Sequence, residues 1–154
     1  MNIKAFILAI TTIIFSISVN AQTVNSVYVA NSVSSANLKL YLCNSVSSAD
    51  VKVYLCNSIS SADKVIYFTN KKSNADIVID FKSSISSAQT KVYYCNSVSS
   101  ADLKLYFCNS ISSANKKLYI SNSISNADVN IYIDEDNELT QEEIISLLIG
   151  MRLI

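Results

Sequence analysis

Alanine returns every 13 residues, at Ala36, Ala49, Ala62, Ala75, Ala88, Ala101, Ala114 and Ala127, without a slip. Tyrosine keeps the same interval at Tyr28, Tyr41, Tyr54, Tyr67, Tyr93, Tyr106, Tyr119 and Tyr132, and only Asp80 breaks the column. A fixed period with no insertion means that every unit does one geometrical job. A unit this short cannot bury its own apolar face, so its neighbours must do so, as in solenoids.

Residues 51–63, VKVYLCNSISSAD, make one good copy. Val51, Val53 and Leu55 alternate with Lys52, Tyr54 and Cys56, the pattern of a strand with one face in a core. The polar run that follows supplies the hydroxyls and carboxylates of a turn. Ile59 and Ala62, three apart, are expected to face inward on a tight 3₁₀-like turn. With one glycine in the chain, Asn31, Asn44, Asn57, Asn70, Asn96, Asn109 and Asn122 are expected to take the corners as a ladder of amides. The expected fold is all-β: a β-solenoid of 13-residue strand-turn repeats, with one or two units per coil. Hairpins favour shorter loops, which sets an antiparallel meander behind both coils.

On this unit the chain resembles an uncharacterised bacterial family whose members repeat the phrase K-V-Y-V-V-D-S-x-Y-x-A-D-L. The matching residues are Lys39-Leu40-Tyr41 with Asn44-Ser45 and Ala49-Asp50, and Lys104-Leu105-Tyr106 with Asn109-Ser110 and Ala114-Asn115. The likeness runs from Val27 to Ile133 and departs from the phrase in having Asn for Asp after the strand and Ser for the turn aromatic. It implies the repeat architecture and no catalytic residue.

The ends differ from the repeats. Residues 1–21 read as a signal peptide: Lys4 in the n-region, an apolar stretch over residues 5–17, and Val19-Asn20-Ala21 as cleavage site. The mature chain then begins at Gln22 and is secreted or periplasmic. Its repeat domain spans residues 22–133 as eight units and a final strand, and no other segment is suited to span a bilayer. Residues 134–154 form an acidic linker and a capping helix, with Thr140 and Glu143 as a capping box before Ile144, Ile145, Leu147, Leu148 and Ile149.

Twelve basic residues balance twelve acidic ones and there is no histidine. A nucleic-acid partner is therefore not expected, nor histidine-based catalysis or zinc ligation. Cys43, Cys56, Cys95 and Cys108 share one phase of the repeat. Their spacing lacks a chelating C-x₂₋₄-C turn, and both disulfides and free half-buried thiols fit it. In a 13-residue coil Cys43 would pair with Cys56 and Cys95 with Cys108 across neighbouring rungs. Asp134, Glu135, Asp136 and Glu138 resemble the front of a calcium loop, but Leu139 and Ile145 stand where Gly and Glu are needed. Neither metal nor cofactor is expected. The unit with Lys71, Lys72, Asp80 and Lys82 departs from the repeat, through a bulge, erosion or a functional notch. The tyrosine column is the candidate binding face: on one flat sheet its rings would stand about 4.8 Å apart. The expected function is that of a structural or binding protein presenting this Tyr/Lys-rich face to a protein, a glycan or itself, and not an enzyme. The alternative, a carboxylate-dependent hydrolase on a solenoid, would have to use Asp50, Asp63, Asp76, Asp102 and Asp128.

Overall fold

The computed structural model describes residues 22–134 and 137–154. The expected leader, residues 1–21, lies outside the described residues, as do Glu135 and Asp136. The strands are β1 (Thr23–Val29), β2 (Leu38–Leu42), β3 (Val51–Leu55), β4 (Lys64–Thr69), β5 (Ile77–Phe81), β6 (Thr90–Tyr94), β7 (Leu103–Phe107), β8 (Lys116–Ile120) and β9 (Val129–Ile133). One 3₁₀ turn, such as Ile59–Ser61, joins each strand to the next, and α1 (Gln141–Gly150) follows. The strand-turn unit and the C-terminal helix are thus as the sequence indicates.

The way the units stack is not. No strand pairs with its neighbour in sequence. All pairs are parallel, each strand joins the strands four and five units away except β5, whose two partners are both four away, and the sheet closes in the order β1-β5-β9-β4-β8-β3-β7-β2-β6. The chain moves two places round the ring per unit and completes two circuits in nine strands, the second filling the gaps left by the first. Neither the coil of one unit nor that of two forms: a circuit takes four and a half.

The register explains why. Val92 of β6 pairs with Val29 at the end of β1 on one side and with Leu38 at the start of β2 on the other. Leu105 likewise stands between Leu42 and Val51. A strand therefore ends one place to one side of a neighbour, and the next begins at the same level on its other side. The crossover has only to step over one strand and need not return along it. Both ends of the step are pinned to the strand beneath. Between β2 and β3, the Cys43 amide donates to the Leu105 carbonyl at 2.7 Å and the Asp50 amide to the Lys104 carbonyl at 2.9 Å. The chain never reverses, so it needs no left-handed corner. Arg152, with φ 60°, is the one described non-glycine residue at positive φ, and the corner asparagines are simply exposed. Ile59, expected inward, is 44% exposed, because the turns lie outside the barrel.

Adjacent strands are offset by two residues, which over nine strands implies a tilt of about 55° and a wall radius of about 12 Å. Side chains project inward from that wall and leave a channel about 12 Å wide, the diameter of an α-helix. That is where α1 lies. The central inward residues Val27, Leu40, Val53, Ile66, Ile79, Val92, Leu105, Leu118 and Ile131 form a ring at 0–1% exposure. The consecutive residues Ile145, Ser146, Leu147, Leu148 and Ile149 are buried inside it. Burial all round a helix means that protein surrounds it. Ser146, with no lumen partner, donates to the Glu142 carbonyl at 2.7 Å. The expected capping helix therefore covers no open end. It enters where the strands end, beside Phe68 and Ile133, and leaves where they begin, beside Leu38 and Thr90.

Eight crossovers lie outside the strands they cross, those of the first circuit over the second and the reverse. Only β5 is not crossed. A nine-strand weave whose last connection also ran outside would close on nine crossings. Here that connection runs inside as α1, which reverses one crossing, cancels it against a neighbour and leaves seven. The path is knotted, a rarity among folds.

Gly150 tests the threading. A Cβ there would stand 3.0 Å from Leu40 Cδ2 and 3.2 Å from Leu38 Cδ2. Gly150→Val should cost about 1–3 kcal/mol by overpacking, read as a lowered melting temperature. A helix lying over an open end would accept the change without loss.

Candidate binding surface

The tyrosines occupy the outward position one residue after the buried ring. Closure bends the column into a belt, in the order Tyr28, Asp80, Tyr132, Tyr67, Tyr119, Tyr54, Tyr106, Tyr41 and Tyr93. Each tyrosine of the belt is half-buried. Neighbours stand about 8 Å apart along the circumference, since the offset of two residues adds to the strand spacing. The flat ladder at rung spacing does not occur. Lys39, Lys104 and Lys117 lie on the same outer face, with ammonium groups 4.0, 3.8 and 3.9 Å from Asp102, Asp50 and Asp63. Ion pairs this long and this exposed contribute little to stability.

The repeat carboxylates have a structural task. Asp50 accepts from the Lys104 amide at 3.0 Å, Asp102 from Lys39 at 3.0 Å, Asp63 from Lys117 at 3.0 Å, Asp76 from Asn130 at 2.7 Å and Asp128 from Val65 at 2.7 Å. Asn37 and Asn115 do the same through Oδ1, to Lys91 at 2.7 Å and Lys52 at 2.8 Å. Each side chain clips the end of a crossover to the strand it has just stepped over. This explains why seven of the eight units carry Asp or Asn here, since both offer the acceptor; at the eighth, Gln89, the clip is reversed, its backbone amide donating to Ser26 Oγ at 3.0 Å.

Cys56, Cys108, Cys43 and Cys95 lie on four consecutive strands of the ring, β3, β7, β2 and β6, each 8% exposed and unpaired. The bonds that a 13-residue coil would place between Cys43 and Cys56, and between Cys95 and Cys108, are ruled out: a strand intervenes in each case, and with the offset between strands the partners stand about 16 Å apart. The thiols fill the space beneath the crossovers; that of Cys56 donates to the Ser61 carbonyl at 3.5 Å. Burial pushes Cys43, Cys56 and Cys95 up, and the adjacent Asp50, Asp63 and Asp102 add to it against the lowering effect of Lys104, Lys117 and Lys39.

Asp80 and Lys82 replace Tyr and Cys in the unit of β5, the one strand that no crossover steps over, and they pair with each other at 2.6 Å. β5 keeps regular register on both sides, so there is no bulge. Lys71 and Lys72 lie at the turn that crosses β9 and do not join Asp80 in one site. In the acidic linker, Asn137 donates to the Asp134 carbonyl at 2.8 Å and accepts from the Leu139 amide at 3.2 Å. The capping box forms as expected, with Thr140 Oγ1 accepting from the Glu143 amide at 3.3 Å and the Glu143 carboxylate accepting from the Thr140 amide at 2.7 Å. No group of metal-ligating side chains occurs among the described residues, and none of their helices is long and apolar enough to cross a membrane.

Two outcomes check this assignment. Asp128→Ala should lower stability by about 1–2 kcal/mol through loss of a charge-assisted hydrogen bond, while Asp128→Asn should cost a few tenths; thermal melts of the pair decide. Thiol titration of the native protein at pH 8 should be at least a hundredfold slower than after unfolding, when all four cysteines react as free thiols.

No curated protein and no solved structure matches the chain. The model of one repeat family, described as the 7(1) septoil knot domain, matches residues 17–103. That is more than half of the sequence, and the family's seven-crossing knot is the one traced above by the two circuits and the threaded helix. The chain belongs to the septoil knot domain family.

Proposed function

We propose that this protein is a secreted or periplasmic structural and binding element, whose outer belt of tyrosines engages a protein, a glycan or further copies of itself. The belt is the observation that carries the reading. Eight tyrosines recur at one position of the repeat on the outside of the barrel, each half-exposed, and together they offer a continuous ring of aromatic surface. Rings with an apolar face and a polar tip are the side chains most often used at such surfaces. Export rests on residues 1–21, whose order of charge, apolar run and small residues is that of a cleaved leader.

Tyr54, Tyr106 and Tyr41 are consecutive in the belt and allow one experiment. The mature protein and its triple Tyr→Ser variant are compared on immobilised polysaccharides, in pull-downs from the native host's envelope and by sedimentation. The wild type should be retained or self-associate, and the variant should lose that retention at least tenfold with its fold intact. Equal behaviour of the two proteins would overturn the reading.

A further inference from the structure

α1 does not run down the middle of the lumen. Near its C-terminus Gly150 lies against Leu38 and Leu40 of β2. Near its N-terminus the Tyr94 hydroxyl of β6 donates to the Glu143 carbonyl at 2.8 Å. β6 and β2 are neighbours in the ring, so the helix leans on that wall. Directly across stand β9, β4 and β8, again consecutive. Between them and the helix opens a cleft of about 390 Å³, lined by Phe68, Ile120, Ile133 and Ile144, with Thr69 and Gln141 at its polar edge. Phe68, Ile120 and Ile133 are the last inward residues of their strands, so the cleft lies at the mouth of the barrel.

We propose that this cleft binds a single unbranched aliphatic chain carrying an uncharged polar head, independently of the tyrosine belt. Three isoleucines and one phenylalanine offer a dry wall, the usual composition of a small-molecule pocket. At about 30 Å³ per water-sized volume, the space holds roughly a dozen such volumes, a chain of about ten carbons. It is too small for a helix or a strand of another protein. The Thr69 hydroxyl is already engaged, accepting from the Lys71 amide and donating to its carbonyl, which leaves the Gln141 amide to meet the head. None of the described residues that line the cleft is charged, so a carboxylate head would find no counter-charge there.

Isothermal titration of the mature protein with n-alkyl maltosides from hexyl to dodecyl, below their critical micelle concentrations, tests the proposal. Affinity should rise about fourfold per methylene up to about ten carbons and then level off, and decanoate should bind at least tenfold more weakly than decyl maltoside. Ile133→Trp should fill the cleft and lower decyl maltoside affinity at least tenfold, while Leu55→Trp, at the same position of β3 but outside the cleft, should not. In the wild type, the methyl resonances of Ile120, Ile133 and Ile144 should shift on titration, a readout that depends on no variant. Equal affinity for hexyl and decyl chains, unmoved isoleucine methyls, or undiminished binding by a folded Ile133→Trp protein would overturn the assignment, as would decanoate binding as tightly as the maltoside.

Discussion

A two-residue offset between adjacent parallel strands governs the molecule. It sets the tilt of the wall, and with nine strands the tilt sets a bore that side chains alone do not fill. It also brings the end of one strand and the start of the next level with each other on either side of a third, as Val29 and Leu38 flank Val92. The short crossover, the double circuit and the need for an internal helix all follow. A smaller offset would narrow the bore and close the lumen on its own side chains.

The crossovers stay in place through a repeated set of hydrogen bonds and not through apolar packing. Val46, Ile59, Val98 and Ile111, which lead their turns, are 38–44% exposed. What fixes each turn is the amide pair at its two ends and, in every crossover but the one ending at Gln89, the Asp or Asn side chain that reaches the strand below. β5, which no crossover steps over, carries the Asp80–Lys82 ion pair where other units have a tyrosine and a small side chain or thiol.

Much of this was legible in the chain. Alternation at Val51, Val53 and Leu55 marks the strand and its inner face, and Thr140 with Glu143 marks the start of α1. The partner of each strand was not legible, because a period of 13 residues is satisfied equally by pairing with the next unit or with one four units away; only the register distinguishes them. The cysteine pairs misdirect for the same reason. Cys43 and Cys56 are adjacent units in sequence but have β7 between them in space. One signal for the internal helix was present: residues 144–149 are apolar on every side but Ser146, a composition suited to full enclosure and not to a lid with one wet face. That the tyrosines share one outward face follows from the alternation, but their curvature into a belt depended on closure, which no single unit encodes.

The threaded helix constrains the order in which the molecule can be assembled. Ile154 emerges from the end of the barrel opposite the mouth through which Gln141 enters, and its carbonyl oxygen accepts from the Lys116 ammonium at 2.9 Å. Either the tail passes through a finished wall or the wall closes around a tail already in place. A folded domain fused after Ile154 separates these routes, because it is too wide for a channel the size of one helix. A fusion of this kind that still reached the native barrel would have done so by wrapping, with the helix acting as the mandrel on which the second circuit is laid.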